Sequence, residues 1–149
     1  MKYVSSKTYG HEIGLSCAFR QWKAESHCNK LHGYALAFRF EFQSADLNGQ
    51  DWVVDFGGLK SLKQQLEALF DHKTLVARDD PQIPLFREMH GVGVLDLVEV
   101  SAVGCEKFAE LAWSMAERWL QDQGMSARVK VRAVEVREHG ANSAQVVEA

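Results

Sequence analysis

The chain has 149 residues, 46% hydrophobic and 25% charged, which suits one globular domain with its own core and excludes a disordered, fibrous or linker-like chain. With 17 Lys and Arg against 20 Asp and Glu, the net charge of -3 gives no basic surplus for non-specific nucleic-acid binding. Three cysteines without a C-x-x-C pair argue against a disulfide framework and a zinc ribbon, and no stretch approaches the ~18 apolar residues of a membrane span. No apolar leader follows Met1, so the expectation is a single domain over residues 1–149, cytoplasmic and with reduced thiols.

The opening segment, Tyr3 to about Arg20, reads as strand. Ile13, Leu15, Cys17 and Phe19 alternate with Gly14, Ser16, Ala18 and Arg20. The next run alternates more cleanly, with Leu36, Phe38, Phe40 and Phe42 on one face, and Asp46-Leu47-Asn48-Gly49 closes it with turn chemistry. The period then changes. Leu59, Leu62, Leu66, Leu69 and Phe70 share a helical face, and Phe108, Leu111, Ala112, Met115 and Trp119 form a second stripe between about Cys105 and Gln123. Gly124 follows as a C-cap. Between the helices lie Asp79-Asp80-Pro81, a short helix candidate around Leu85–His90 and an apolar run from Val94 to Val100. Val129, Val131, Val134 and Val136 return to strand, with a parity slip near Ala133 that marks a bulge, and Ser143–Glu148 reads as a last strand. The order ββ, α, α, ββ implies α+β, an antiparallel sheet with two helices on one face. Its long edges need partners, so a homo-oligomer is expected.

Four clusters carry reactive groups. In Ser26-His27-Cys28-Asn29-Lys30-Leu31-His32-Gly33-Tyr34, a thiol lies close to histidine and lysine, a setting that favours thiolate; an idle surface cysteine is the plainer alternative. Asp71 beside His72 ends the first helix, where a carboxylate can orient an imidazole for proton transfer or where a cation simply meets the helix dipole. Glu138, in Arg137-Glu138-His139-Gly140, ends a late strand, where a carboxylate can accept paired hydrogen bonds from an N-C-N edge such as that of a pterin or guanine. Gly104-Cys105-Glu106 can cap the second helix and offer free N–H groups. No Walker loop, G-x-G-x-x-G, G-x-S-x-G or H-E-x-x-H occurs, so the common nucleotide and hydrolase readings have no anchor.

Together these segments resemble the 6-pyruvoyl-tetrahydropterin synthase and 6-carboxytetrahydropterin synthase family. Cys28-Asn29-Lys30-Leu31-His32-Gly33-Tyr34 resembles its C-x-x-L-H-G-H, and Trp52-Val53-Val54-Asp55-Phe56-Gly57-Gly58-Leu59-Lys60 its W-[VI]-[IVM]-D-F-x-x-L-K. Phe70-Asp71-His72-Lys73-Thr74-Leu75 resembles L-D-H-x-x-L. Glu106 with Phe108-Ala109 fits P-T-[AS]-E-x-[LF]-A, and Val136-Arg137-Glu138 fits V-x-E-T. The resemblance implies a T-fold, a ββααββ unit that closes an oligomeric β-barrel as trimer or hexamer. It also implies a lyase acting on a small-molecule pterin. The bacterial branch converts 7,8-dihydroneopterin triphosphate to 6-carboxytetrahydropterin on the route to 7-deazaguanines such as queuosine. By the same resemblance, Cys28 is the base, Asp71 and His72 the proton relay reaching in from a neighbouring subunit, and Glu138 with Glu106 the binding groups for the pterin ring.

The chain departs from the pattern at the metal. The family holds Zn²⁺ with three histidines, and here they fall on Phe19, His32 and Tyr34, so only His32 remains. A catalytic zinc normally has three protein ligands. His27 and Tyr34 are the nearby groups that could complete the set, while His11 shares strand parity with Phe19 at a distance. Three alternatives stand: a rebuilt zinc site, metal-free catalysis, or a metal-free pterin- or purine-binding module; a T-fold enzyme with a different pterin substrate is a further reading.

Overall fold

The computed structural model describes all residues, 1–149. Its elements are β1 (Tyr3–Tyr9), β2 (Leu15–Phe19), β3 (His32–Ser44), α1 (Lys60–Phe70), β4 (Lys73–Ala77), α2 (Ile83–Gly91), β5 (Leu97–Val100), α3 (Cys105–Asp122), β6 (Lys130–His139) and β7 (Asn142–Val147). The opening strand is broken in two. A 3-10 turn at His11–Ile13 ends at Gly14, whose φ of 75° is left-handed and favours glycine.

β3 organises the sheet. Along one edge its beginning pairs with β2, with Phe19 opposite His32 and Leu15 opposite Leu36. Its later part pairs on with β1, from Tyr9 opposite Phe38 to Tyr3 opposite Ser44. The other edge takes β6, from Ala37 opposite Arg137 to Gln43 opposite Lys130. β7 then pairs antiparallel with β6.

The expected all-antiparallel sheet is corrected here. β4 joins β2 in parallel and β5 joins β4 in parallel, so the sheet is mixed. The helix candidate is real, and as α2 it forms the crossover that parallel neighbours require, so the helices number three rather than two. β4 escaped the sequence reading because Thr74, Leu75, Val76 and Ala77 are all buried, which leaves no alternation.

α1 and α3 pack on the phenylalanine face of the sheet. Leu62, Leu66 and Phe70 of α1 and Phe108, Ala112, Ala116 and Trp119 of α3 are buried with Phe38, Phe40 and Phe42. The rings touch in sequence: Phe38 to Phe70 at 4.9 Å, Phe70 to Phe108 at 5.4 Å, and Phe108 edge-on to Phe19 at 5.0 Å. Trp119 Nε1 donates to Ser61 Oγ at 2.7 Å and ties the helices together. α2 lies over a separate small cluster of Val76, Ile83 and Phe86. No helix is long and apolar enough to cross a membrane.

The parity slip near Ala133 is a bulge, since the β3 pairing skips Arg132 between Ala133 and Val131. A second irregularity skips Glu138 between Arg137 and His139, and such a bulge re-aims a side chain out of the regular alternation.

Phe70 bridges sheet and α3 with no exposure at all. Phe70→Ala is expected to cost about 3–5 kcal/mol. Urea unfolding should show a lower midpoint at an unchanged slope.

Candidate functional site

The site gathers at one end of the sheet, where β2 ends, β3 begins, β6 ends and α3 begins. Three rings converge there: Phe19 to His32 at 5.5 Å, Phe19 to Tyr34 at 6.0 Å, and His32 to Tyr34 at 5.3 Å. Strand register causes this, since Phe19 faces His32 and Tyr34 faces Cys17, all on the helix-covered side. His139 adds a fourth ring, 6.0 Å from Tyr34. Gly33 lies between the two polar rings with its Cα against β2, and a Cβ there would meet the Cys17 carbonyl oxygen at 2.7 Å.

The loop carrying Cys28 is pinned by the two residues that follow β2. Gln21 N–H donates to the Cys28 carbonyl at 2.9 Å, and Arg20 Nη1 donates to the Asn29 carbonyl at 3.1 Å. Arg20 also grips Asp80 through Nε and Nη2 at 2.8 and 2.7 Å. Asp80 is only 4% exposed, so this contact anchors the loop to the turn before α2. Burial alone would raise the Asp80 carboxyl, but hydrogen bonds from Arg20 and the Gln82 N–H outweigh it and hold the group below its usual value. Cys28 itself is half-buried on a 3-10 turn whose Ser26 Oγ accepts its N–H at 3.3 Å.

α3 opens at Gly104, whose φ of 114° is disfavoured for any residue with a side chain and which has no side-chain cap. Cys105 follows, its thiol against Glu138. Burial first, then the charges of Glu138 and Glu106, push the thiol up to about 12, so it stays a neutral S–H beside the Glu138 carboxylate. Glu106 lies exposed in the first turn of α3. The Tyr34 phenol is raised as well, first by burial and then by the charges of Glu138, Cys28 and Cys105.

Asp71 and His72 form their pair at the junction of α1 and β4. His72 Nδ1 lies 2.8 Å from Asp71 Oδ1, which also accepts the Ser16 N–H at 3.3 Å. The His72 N–H donates to the Ser16 carbonyl at 2.7 Å, and its φ of 58° is a left-handed strain that such pairing sustains. The imidazole is 83% exposed. It lines an open cleft of about 450 Å³ with Tyr34, Lys73 and Asp96. The structure thus sets Cys105 against Glu138 and the Tyr34 ring against Phe19, His32 and His139, with Cys28 on the loop between β2 and β3 and His72 on a cleft that Tyr34 also lines.

The sequence model of 6-pyruvoyl tetrahydropterin synthase matches residues 10–149. The chain belongs to that family. It is 26% identical over 162 residues to the 6-carboxy-5,6,7,8-tetrahydropterin synthase of Aquifex aeolicus, covering 99% of each chain. A crystal structure of an uncharacterized Wolinella succinogenes protein superposes with a TM-score of 0.79 at 20% identity, covering 100% of this chain and 99% of that one. The 6-pyruvoyl tetrahydropterin synthase of Plasmodium falciparum superposes at 0.71 with 14% identity, covering 99% and 98%. These two likenesses show a shared, T-fold-like α+β topology.

Membership in this lyase family raises the question of zinc, and the donor set does not fit it. Phe19 has no lone pair to give. Tyr34 keeps its proton, for the reasons above. His32 Nδ1 lies 2.7 Å from the Lys30 carbonyl, which can only accept, so that nitrogen carries a proton and Nε2 alone is free. No group of three or more His, Cys, Asp or Glu is placed to hold a metal ion. The two candidates for completing the set do not do so. His27 is exposed on its turn, and Tyr34 is a neutral phenol. His11 donates from Nδ1 to the Ala35 carbonyl at 2.5 Å and takes no part in the ring cluster.

Sequence reasoning missed the Cys105–Glu138 contact and the Arg20–Asp80 anchor. Only proximity across the fold reveals either, since 33 and 60 residues separate the partners.

Two outcomes follow. The contribution of Asp80 is complete above about pH 4, where it is ionised in both states, and is lost as pH falls through its depressed folded value. Asp80→Asn should therefore be less stable at neutral pH and flatter in its stability profile below pH 4, read by denaturant melts across pH. For the metal, titration calorimetry with Zn²⁺ should give no stoichiometric binding to the native chain. Phe19→His with Tyr34→His should create it, provided circular dichroism shows the variant folded.

Proposed function

We propose that the chain is a 6-carboxytetrahydropterin synthase-like lyase of 7-deazaguanine biosynthesis that works without zinc. One observation supports the reading: the loop with Cys28, the end of β6 with Glu138 and the start of α3 with Cys105 and Glu106 lie at the same end of the sheet, where Glu138 meets the Cys105 thiol. A base and a ring anchor at one end of the sheet are what a pterin lyase needs, and a merely structural end of a sheet needs neither.

In this reading Glu138 accepts two hydrogen bonds from the N-C-N edge of 7,8-dihydroneopterin triphosphate, with Cys105 S–H fixing its orientation and Glu106 at the α3 start assisting. Cys28 takes a proton from the substrate side chain. Asp71 orients His72, which returns protons to the leaving parts. With one water, the substrate yields 6-carboxytetrahydropterin, acetaldehyde and triphosphate. The pair on the neighbouring cleft serves the site of an adjoining copy. β7 and β1 have free edges, with Val147 and Val4 exposed beside them, and we assign these edges to the closure of a homo-oligomeric barrel, as trimer or hexamer.

The missing metal donors favour a second reading, a pterin- or purine-binding module or an enzyme for a different pterin. Mass spectrometry after incubation with 7,8-dihydroneopterin triphosphate, with chelator and with Zn²⁺, separates them. The expected result is 6-carboxytetrahydropterin in both conditions. Cys28→Ala should bind substrate normally and lose at least about a hundredfold in turnover. Unchanged substrate from folded, oligomeric protein would sink the lyase reading and leave the binding module.

A further inference from the structure

Arg20 to Leu31 join β2 to β3, and Cys28 rides on this loop. Most of the loop's side-chain ties run to the turn before α2. Arg20 holds Asp80, the Trp22 Nε1–H donates to Asp79 Oδ1 at 3.1 Å, and Lys23 pairs with Asp79 at 3.2 Å. Gln21 reaches the other way, to the chain entering α3. Its side-chain N–H donates to the carbonyl of Val103 at 3.3 Å, and Val103 is buried. Its backbone N–H donates to the Cys28 carbonyl at 2.9 Å. One residue therefore bonds the Cys28 peptide with its main chain and the entry to α3 with its side chain.

The contact is built from both sides. Gly104, the residue after Val103, leaves room for the Gln21 amide, since a Cβ there would lie 2.3 Å from Gln21 Nε2. A methionine at position 21 would fill the same length without a donor for the carbonyl, and a glutamate would set a carboxylate against it. One partly exposed hydrogen bond shifts an opening equilibrium by only about two- to tenfold, too little to decide whether the chain folds. Position is far more sensitive, because a reacting group misplaced by about 1 Å can lose about a hundredfold in rate.

We propose that Gln21 is a positioning residue, which clasps the Cys28 loop to the chain entering α3 and so fixes where Cys28 stands relative to the first turn of that helix, with Cys105 and Glu106. For its effect on turnover this rests on the lyase reading above; the clasp itself does not.

The test compares Gln21→Met, which removes the donor, with Trp22→Phe, which cuts a tie of the same loop to Asp79 and leaves the clasp. Circular dichroism checks that each is folded, and Gln21→Glu takes the place of Gln21→Met if that variant is not. Iodoacetamide labelling, read by mass spectrometry on the Cys28 peptide, reports on the loop without any substrate, since Cys17 and Cys105 are buried and Cys28 is half-buried. Gln21→Met should label at Cys28 about two- to tenfold faster than the native chain, and Trp22→Phe at the native rate. With 7,8-dihydroneopterin triphosphate, Gln21→Met should lower kcat by about tenfold or more at an unchanged KM, because Glu138 lies off the loop. Native-rate labelling in folded Gln21→Met, equal acceleration in both variants, or faster labelling with kcat unmoved overturns the inference. If labelling separates the variants and the native chain turns nothing over, the lyase reading fails and the clasp stands.

Discussion

Everything in this molecule is hung on β3. Its 13 residues form ladders with β2 and β1 on one edge and with β6 on the other. A strand bonded on both sides cannot slip register, because a shift of one residue would send Phe38, Phe40 and Phe42 out of the core. The same register fixes His32 and Tyr34 opposite Phe19 and Cys17. Core and site are thus two ends of one constraint.

The site end shows what replaces a metal energetically. Three histidines around zinc gain their order from the ion. Here Phe19, Tyr34 and His32 gain theirs from ring contacts that continue through Phe108 and Phe70 to Phe38. Aromatic pairs contribute about 0.5–1.5 kcal/mol each beyond burial. That suffices to hold geometry without a cation, but it supplies no Lewis acid. Whatever polarisation the proposed reaction needs must come from hydrogen-bond donors.

The loop with Cys28 shows how a functional group is held on irregular backbone. It has no ladder, so single contacts do the fixing: the Gln21 N–H on the Cys28 carbonyl, Arg20 to Asp80 and Asn29, and the Gln21 side chain on the carbonyl of Val103 at 3.3 Å. The bulge at Glu138 and the left-handed backbone at His72 are the other irregular points. Both coincide with the polar groups that the proposed chemistry uses, which fits the tendency of strain to collect at working sites.

Much of this was legible in the chain itself. Alternation located β2 and β3, helical spacing located α1 and α3, and the slip at Ala133 located a bulge, because each reports local periodicity against a single buried face. The loss of two zinc histidines was readable from H-G-Y and Phe19 alone, since ligand chemistry is a property of residue type. The parallel strands were not readable. β4 is buried throughout, and its pairing with β2 is decided by the path of the chain between them. Nor was the company each group keeps: Cys105 against Glu138, Arg20 on Asp80, the ring of Tyr34 beside that of His139. These contacts join residues that lie far apart along the chain. Local pattern carries no record of distance across a sheet, so only the tertiary structure could decide them.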